Sequence, residues 1–144
     1  MFNIQKFSKM KTIIFLFTIL SALISFSQTD IIGISKNQVI NSINSEPCKT
    51  DYNSIWYCYN NGKLVNYQFM SEKVSAVTTM NEFESEYLAR QNVMKEINNY
   101  KLTYGKPEMK GDEAYFFSGR NIIMIAYGYS NGKHYSCLRV SQAK

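Results

Sequence analysis

Two Asn-Gly pairs, Asn61-Gly62 and Asn131-Gly132, each lie between stretches of alternating apolar and polar residues. Such a pair is the strongest short-range signal for a β-hairpin, because both central residues of the favoured turn need a positive φ. The first predicts strands over Ser54–Asn60 and Lys63–Met70. With Asn61 and Gly62 at the centre of a two-residue turn, Cys58 faces Val65, Trp56 faces Tyr67 and Ser54 faces Phe69. That set forms the expected buried face. Ile55, Tyr57, Tyr59, Leu64, Asn66 and Gln68 form the opposite one. A turn at Ser71-Glu72 leads into a third strand, Lys73–Thr79, with Val74 and Ala76 on the buried side.

The C-terminal part repeats the pattern. Ala114–Ser118 and Asn121–Tyr129 flank Gly119-Arg120, and Asn131-Gly132 leads into Lys133–Ser141. Period-two alternation puts Phe116, Ile123, Ile125, Tyr127, Leu138 and Val140 on one face. Tyr115, Phe117, Ile122, Met124, Ala126, Tyr135, Cys137 and Arg139 fall on the other.

Two helices separate these strand groups. Ser35 is placed to cap a helix, Gln38 stands at the capping-box position and Ile34 at the staple position. Val39, Ile40 and Ile43 then share a face, and Pro47 closes the segment. The longer helix is expected over about Glu82–Tyr104, capped by Asn81 with Glu84 reaching back. Phe83, Tyr87, Val93, Met94, Ile97, Tyr100 and Tyr104 fall in one broad stripe. Glu82, Glu84 and Glu86 crowd its first turn, where the helix dipole favours acids, and Gly105-Lys106-Pro107 ends it. The order helix, three strands, helix, three strands predicts an α+β fold. Two tandem α-β-β-β units, about 33–80 and 81–141, would form one antiparallel sheet with both helices on one face.

The chain's first 27 residues have the layout of an export signal. Lys6, Lys9 and Lys11 precede the apolar run Ile13 to Ile24, and Ser25 and Ser27 are the small residues a signal peptidase needs before Gln28. Such a run covers about 18–21 Å as a helix, short of the ~30 Å hydrocarbon core. The expectation is an exported protein, periplasmic or secreted, with a single domain at 28–144. Charge supports no nucleic-acid role: the 16 Lys and Arg face 11 Asp and Glu, three of those lysines lie in the signal, and the rest are scattered rather than clustered.

Export to an oxidising compartment implies one disulfide and one leftover thiol among Cys48, Cys58 and Cys137. A bridge between Cys48 and Cys58 would stabilise a small domain by roughly 2.5 kcal/mol through the loop of about ten residues that it closes. The only histidine, His134, cannot complete a metal shell with one remote cysteine, so no metal or other cofactor is expected. His134 and Cys137 are three apart on a strand and point to opposite faces. The acids sit at helix starts and turns rather than paired across a pocket, and the glycines are isolated turn residues. No enzyme is expected.

Gly33-Ile34-Ser35 opening a short helix, Val39, Pro47, Trp56-Tyr57, Tyr67-Gln68-Phe69 and Val74, echoed by Tyr104-Gly105-Lys106-Pro107 and the paired hairpins, form a pattern. It resembles the two-layer fold shared by β-lactamase-inhibitor proteins and small outer-membrane-assembly lipoproteins. Inhibitors of this type carry a disulfide from the loop after the helix to the first strand, which implies a Cys48–Cys58 pairing. The resemblance also implies a sheet whose open face binds another protein. The chain lacks the lipidated cysteine of the assembly lipoproteins, and its second unit has no cysteine pair, so lactamase inhibition is not carried over.

The open face is therefore the expected site: Tyr57, Tyr59, Tyr115, Phe117, Met124, Tyr135 and Arg139, with Ile122 and Gln68 among them. Tyr, Met and Arg are enriched in interface cores. The expected partner is another protein. Alternatively, the same face serves self-association of a structural protein of the cell envelope. The export reading has a direct check: the protein recovered from an exporting host should have an intact mass that begins at Gln28, and a mass that retains Lys6–Lys11 would refute it.

Overall fold

The computed structural model describes residues 28–143, so the expected signal at 1–27 lies outside the described residues. Three helices, α1 (Gln28–Ile31), α2 (Lys36–Ser42) and α3 (Glu86–Tyr104), accompany eight strands. The strands are β1 (Lys49–Asp51), β2 (Ser54–Cys58), β3 (Lys63–Met70), β4 (Lys73–Phe83), β5 (Glu108–Lys110), β6 (Glu113–Ser118), β7 (Asn121–Ser130) and β8 (Lys133–Gln142). They form one antiparallel sheet in the order β1-β2-β3-β4-β8-β7-β6-β5. The last strand of each half, β4 and β8, thus lies at the centre. The sheet's outer edges, β1 and β5, are three-residue strands that periodicity reasoning missed, because so short a run shows no alternation. Brief edges that carry lysine, as Lys49 and Lys110 do here, discourage edge-to-edge pairing.

The helix starts follow their capping chemistry. Ser35 accepts from the Gln38 N–H while Gln38 reaches back to the Ser35 N–H, and Ile34 packs against the cluster that holds Val39. The long helix departs from expectation. It begins at Glu86, and Ser85 is its cap, accepting from the Leu88 N–H. Asn81, Glu82 and Phe83 instead continue β4, opposite Ser136, Tyr135 and His134 of β8. A central strand can form ladder hydrogen bonds on both sides, and that gain outweighs a helix start at Asn81. The buried stripe of α3 is consequently Ala89, Val93 and Ile97, joined by Tyr100 and Tyr104, while Tyr87 and Met94 face outward.

Both helices of any length pack on the same side of the sheet. One cluster joins Val39 of α2 to Ile55, Tyr57, Val65, Phe69, Val74 and Val77. A second joins Val93 and Ile97 of α3 to Ala114, Phe116, Ile123, Ile125 and Val140. Ile32 touches both, and Val77 lies opposite Val140 across the central strand pair. Fully burying a side chain of this size contributes roughly 1.5–3 kcal/mol, so these two clusters dominate the stability. Polar ties cross the same layer: Ser136 donates to Asn92 Oδ1 at 2.8 Å, and Gln28 donates to Thr79 Oγ1 at 2.6 Å.

The two Asn-Gly turns differ. At Asn131-Gly132 the loop has two residues, both at positive φ, and Ser130 faces Lys133. At Asn61-Gly62 the Tyr59 N–H donates to the Lys63 carbonyl and Cys58 faces Leu64. The loop therefore contains three residues, Asn60, Asn61 and Gly62, and only Gly62 has positive φ. This is the type I turn with a glycine bulge. The extra residue slips β2 by one position, and a one-residue slip exchanges the faces of a strand. Ile55 and Tyr57 therefore join the core, and Ser54, Trp56 and Cys58 face away from it. A bulge in β4 does the same locally. Phe69 faces Val74 and Gln68 faces Ala76, leaving Ser75 extra, so Ala76 turns away from the helices while Val77 turns toward them.

Gly62 has φ +76, and a Cβ there would come within 3.1 Å of the Glu82 Cβ. Gly62→Ala should therefore lower stability by about 1–2 kcal/mol or more. Glu72, a non-glycine residue at φ 62, should respond oppositely: Glu72→Gly is expected to raise stability by about 0.5–1 kcal/mol. Urea unfolding of the two variants checks both signs.

Candidate functional site

The sheet face turned away from α1, α2 and α3 can be read row by row from the strand register. Its middle row crosses the whole sheet: Lys49, Trp56, Asn66, Thr78, Arg139, Met124, Tyr115 and Glu108. Neighbouring strands are about 4.8 Å apart, so Trp56 and Tyr115 stand roughly 24 Å from each other across five steps. One neighbouring row holds Ser54, Gln68, Ala76, Ser141, Ile122 and Phe117. The other holds Cys58, Leu64, Met80, Cys137 and Ala126.

Five of the seven expected site residues share this face: Tyr115, Phe117, Met124, Tyr135 and Arg139. Phe117 is 57% exposed, and Tyr135 only 7%. Tyr135 lies opposite Gly128, where an added Cβ would come within 3.0 Å of the Cys137 Sγ. Tyr57 does not belong to the face. The slipped register buries it at 1% exposure in the core, edge-on to Tyr67 with ring centroids 5.9 Å apart. Tyr59 pairs with Lys63 at the base of the hairpin loop, with the Lys63 ammonium 5.9 Å from its ring. In their place the slip delivers Trp56, while Leu64 stays on the face where alternation put it. The readable signal was the loop itself, since Asn60-Asn61-Gly62 suits a three-residue turn as well as Asn61-Gly62 suits a two-residue one.

The polar groups of the face are held by one another. Arg139 Nη1 donates to Thr78 Oγ1 at 3.0 Å, and Nη2 donates to Gln68 Oε1 at 2.7 Å. Asn66 is 2% exposed beneath its larger neighbours, and its amide donates to the Ile55 carbonyl at 3.4 Å. The Tyr115 hydroxyl donates to Glu113, and the Lys110 ammonium lies 5.1 Å from the Tyr115 ring. That hydrogen bond to the Glu113 carboxylate, with partial desolvation, raises the phenol above its ordinary pKa. Burial pushes the Cys137 thiol up as well.

At one end the face is concave. A hollow of about 340 Å³ is lined by Met70, Ser75, Ala76, Arg139 and Ser141. It adjoins a second of about 510 Å³ lined by Tyr52, Ser54, Gln68, Met70 and Ser75. Tyr52 and Met70 are strongly exposed at its rim. These rings, thioethers and hydroxyls supply contact area and hydrogen bonds. Among the described residues no group of three or more His, Cys, Asp or Glu is placed to hold a metal ion. His134 is on the helix side, bonded to the Tyr127 hydroxyl at 2.8 Å, whereas Cys137 is on the other side. No helix of the described chain is long and apolar enough to cross a membrane. No protein-family model, curated protein or solved structure matches the chain.

Cys48 and Cys58 are disulfide-bonded with Cα atoms 5.8 Å apart, and Cys137 is free. The bridge spans from the loop after α2 to the end of β2, at the margin of the face. The unfolded native-oxidised protein should therefore show one reactive thiol, rising to three after reduction, and the folded protein should react slowly. Desolvation favours the neutral thiol of Cys137 in the folded state. Its folded pKa thus lies above the unfolded one, and its contribution to stability is present at neutral pH and is lost as pH rises through the thiol range near about 8.5. Cys137→Ala should flatten the fall in unfolding midpoint between about pH 8 and 10. Three fast thiols without reductant would contradict the bridge.

Proposed function

We propose that this protein is an exported, non-enzymatic binding module that docks another protein on the sheet face away from its helices. The observation that supports this reading best is the composition of that face: Trp56, Tyr115, Phe117, Ile122 and Met124 share it with Arg139. Trp, Tyr and Arg are the side chains that most often dominate interface energies. The Trp56 indole N–H, once covered, needs an acceptor, which a protein surface offers. Contiguous exposed apolar area rimmed by polar groups is what partner sites have in common.

Two finer readings belong to this proposal. The matched halves, each a helix leading into strands that end at the sheet centre, fit a duplicated α-β-β-β unit to which a short edge strand has been added. The helix–disulfide–strand arrangement of the first half fits the resemblance to the inhibitor and assembly-lipoprotein fold. Export is proposed from the N-terminal pattern and agrees with a disulfide in the folded domain.

Site-directed photocross-linking in the producing cell tests the docking face. A photoreactive benzoylphenylalanine at position 117 or 56 should give a discrete adduct with another protein. The same group at position 102, where Leu102 is 88% exposed on the helix side, should give none. Adducts of equal yield from both sides, or none from 117 and 56, would sink the reading.

A further inference from the structure

Arg139 stands in the interior of the proposed docking face without a carboxylate partner. The five ion pairs among the described residues engage Lys49, Arg90, Lys110 and Lys133, and none includes Arg139. The acids around the rim are already occupied: Asp51 by Lys49, Glu82 by Lys133, Glu108 by Lys110 and Glu113 by the Tyr115 phenol. Among the described residues no other charged side chain lies in the interior rows. The charge of Arg139 is thus unneutralised where everything around it is apolar or neutral.

Its two hydrogen bonds go to neutral acceptors, Thr78 Oγ1 and Gln68 Oε1. A guanidinium has five N–H donors in a planar fork, so three remain. The two bonds orient the fork without spending its charge, which is preorganisation for an incoming anion. A partner that covered Arg139 with apolar atoms would strip water from a lone cation at a large penalty. A partner that brought a carboxylate would replace that water with charge-assisted bonds, and the bidentate geometry of arginine matches a carboxylate best. The side chain opens onto the hollow of about 340 Å³ whose lining adds Ser141 and Ser75. That hollow runs on into its neighbour past Met70 and Ser75, so a chain can cross the seat rather than end in it.

We propose that Arg139 is a carboxylate receptor: the partner crosses this hollow with a loop or extended segment and inserts an Asp or Glu side chain against the guanidinium. The inference rests on the docking-face reading and adds the chemistry of what docks. The probe is a library of random peptides displayed in the interior of a carrier loop, panned on the folded protein. Peptides whose capture is lost with Phe117→Ala should carry an Asp or Glu at a fixed position. For a synthetic copy of the best one, its own Asp→Asn change and Arg139→Gln should each weaken binding by about tenfold to a hundredfold. The two changes together should do little more than either alone, and Arg139→Lys should recover only part. The peptide change needs no altered protein, so misfolding of an Arg139 variant cannot mask the result. Peptides that depend on Phe117 but have no enriched acid, or that ignore Arg139→Gln and their own Asp→Asn, overturn the carboxylate receptor and leave the docking face standing. Selection only of free C-terminal carboxylates, in a parallel library with open ends, overturns the side-chain assignment. If no captured peptide depends on Phe117 or Trp56, the docking face itself fails and the receptor with it.

Discussion

The pairing of β4 with β8 is the contact on which the rest depends. It is the one place where the sheet of the first half meets the sheet of the second, and its partners are some sixty residues apart in the chain, as with Thr78 and Arg139. Closing a loop of that length is entropically unfavourable before any contact is gained. The return is large. Eight facing residue pairs, from Ala76–Ser141 to Phe83–His134, join the halves, and two apolar clusters become one continuous layer under the helices through Val77, Val140 and Ile32. The same pairing claims Asn81–Phe83 from the helix start. It also sets Thr78 beside Arg139 and brings Gln68 within reach of the guanidinium. Without it each half would be a narrow sheet with an open edge and no shared face.

Single-residue accidents of backbone geometry decide what that face displays. The three-residue loop at Asn60-Asn61-Gly62 exchanges Tyr57 for Trp56 on the face, and the bulge at Ser75 exchanges Val77 for Ala76. Each costs one residue of length and reverses the side of everything beyond it, because strand side chains alternate with period two. The second half has no such irregularity. Its turns at Gly119-Arg120 and Asn131-Gly132 both contain two residues, so Tyr115, Phe117, Ile122, Met124 and Arg139 lie where simple alternation puts them.

The face that results is chemically uneven, and that unevenness carries its meaning. Charges at the rim are matched in pairs that, being exposed, contribute little to stability. The interior combines rings and thioethers with one guanidinium held by neutral acceptors. Stability alone does not require this arrangement: an aliphatic residue in place of Arg139 would cover the sheet without a half-buried, unneutralised charge. The disulfide, Gly62 and the shared core support the face from beneath and from its margin, and so keep its rows in register.

The sequence by itself determined the elements with local causes. Ser35 with Gln38 capped α2, Gly105 and Pro107 ended α3, and two-residue glycine turns set the second-half hairpins, because each of these rests on interactions within a few residues. Five of seven candidate face residues followed from the same local rules. Only the tertiary structure decided the choices between locally equivalent options. Asn81 and Ser85 are both good caps, and the β4–β8 ladder chose Ser85. Asn60-Asn61-Gly62 accommodates turns of two or three residues, and the core's demand for Ile55 and Tyr57 beside Val65 and Phe69 chose three. The hydrogen bonds that leave Arg139 oriented but unneutralised join residues far apart in the chain, so no local pattern could have announced them.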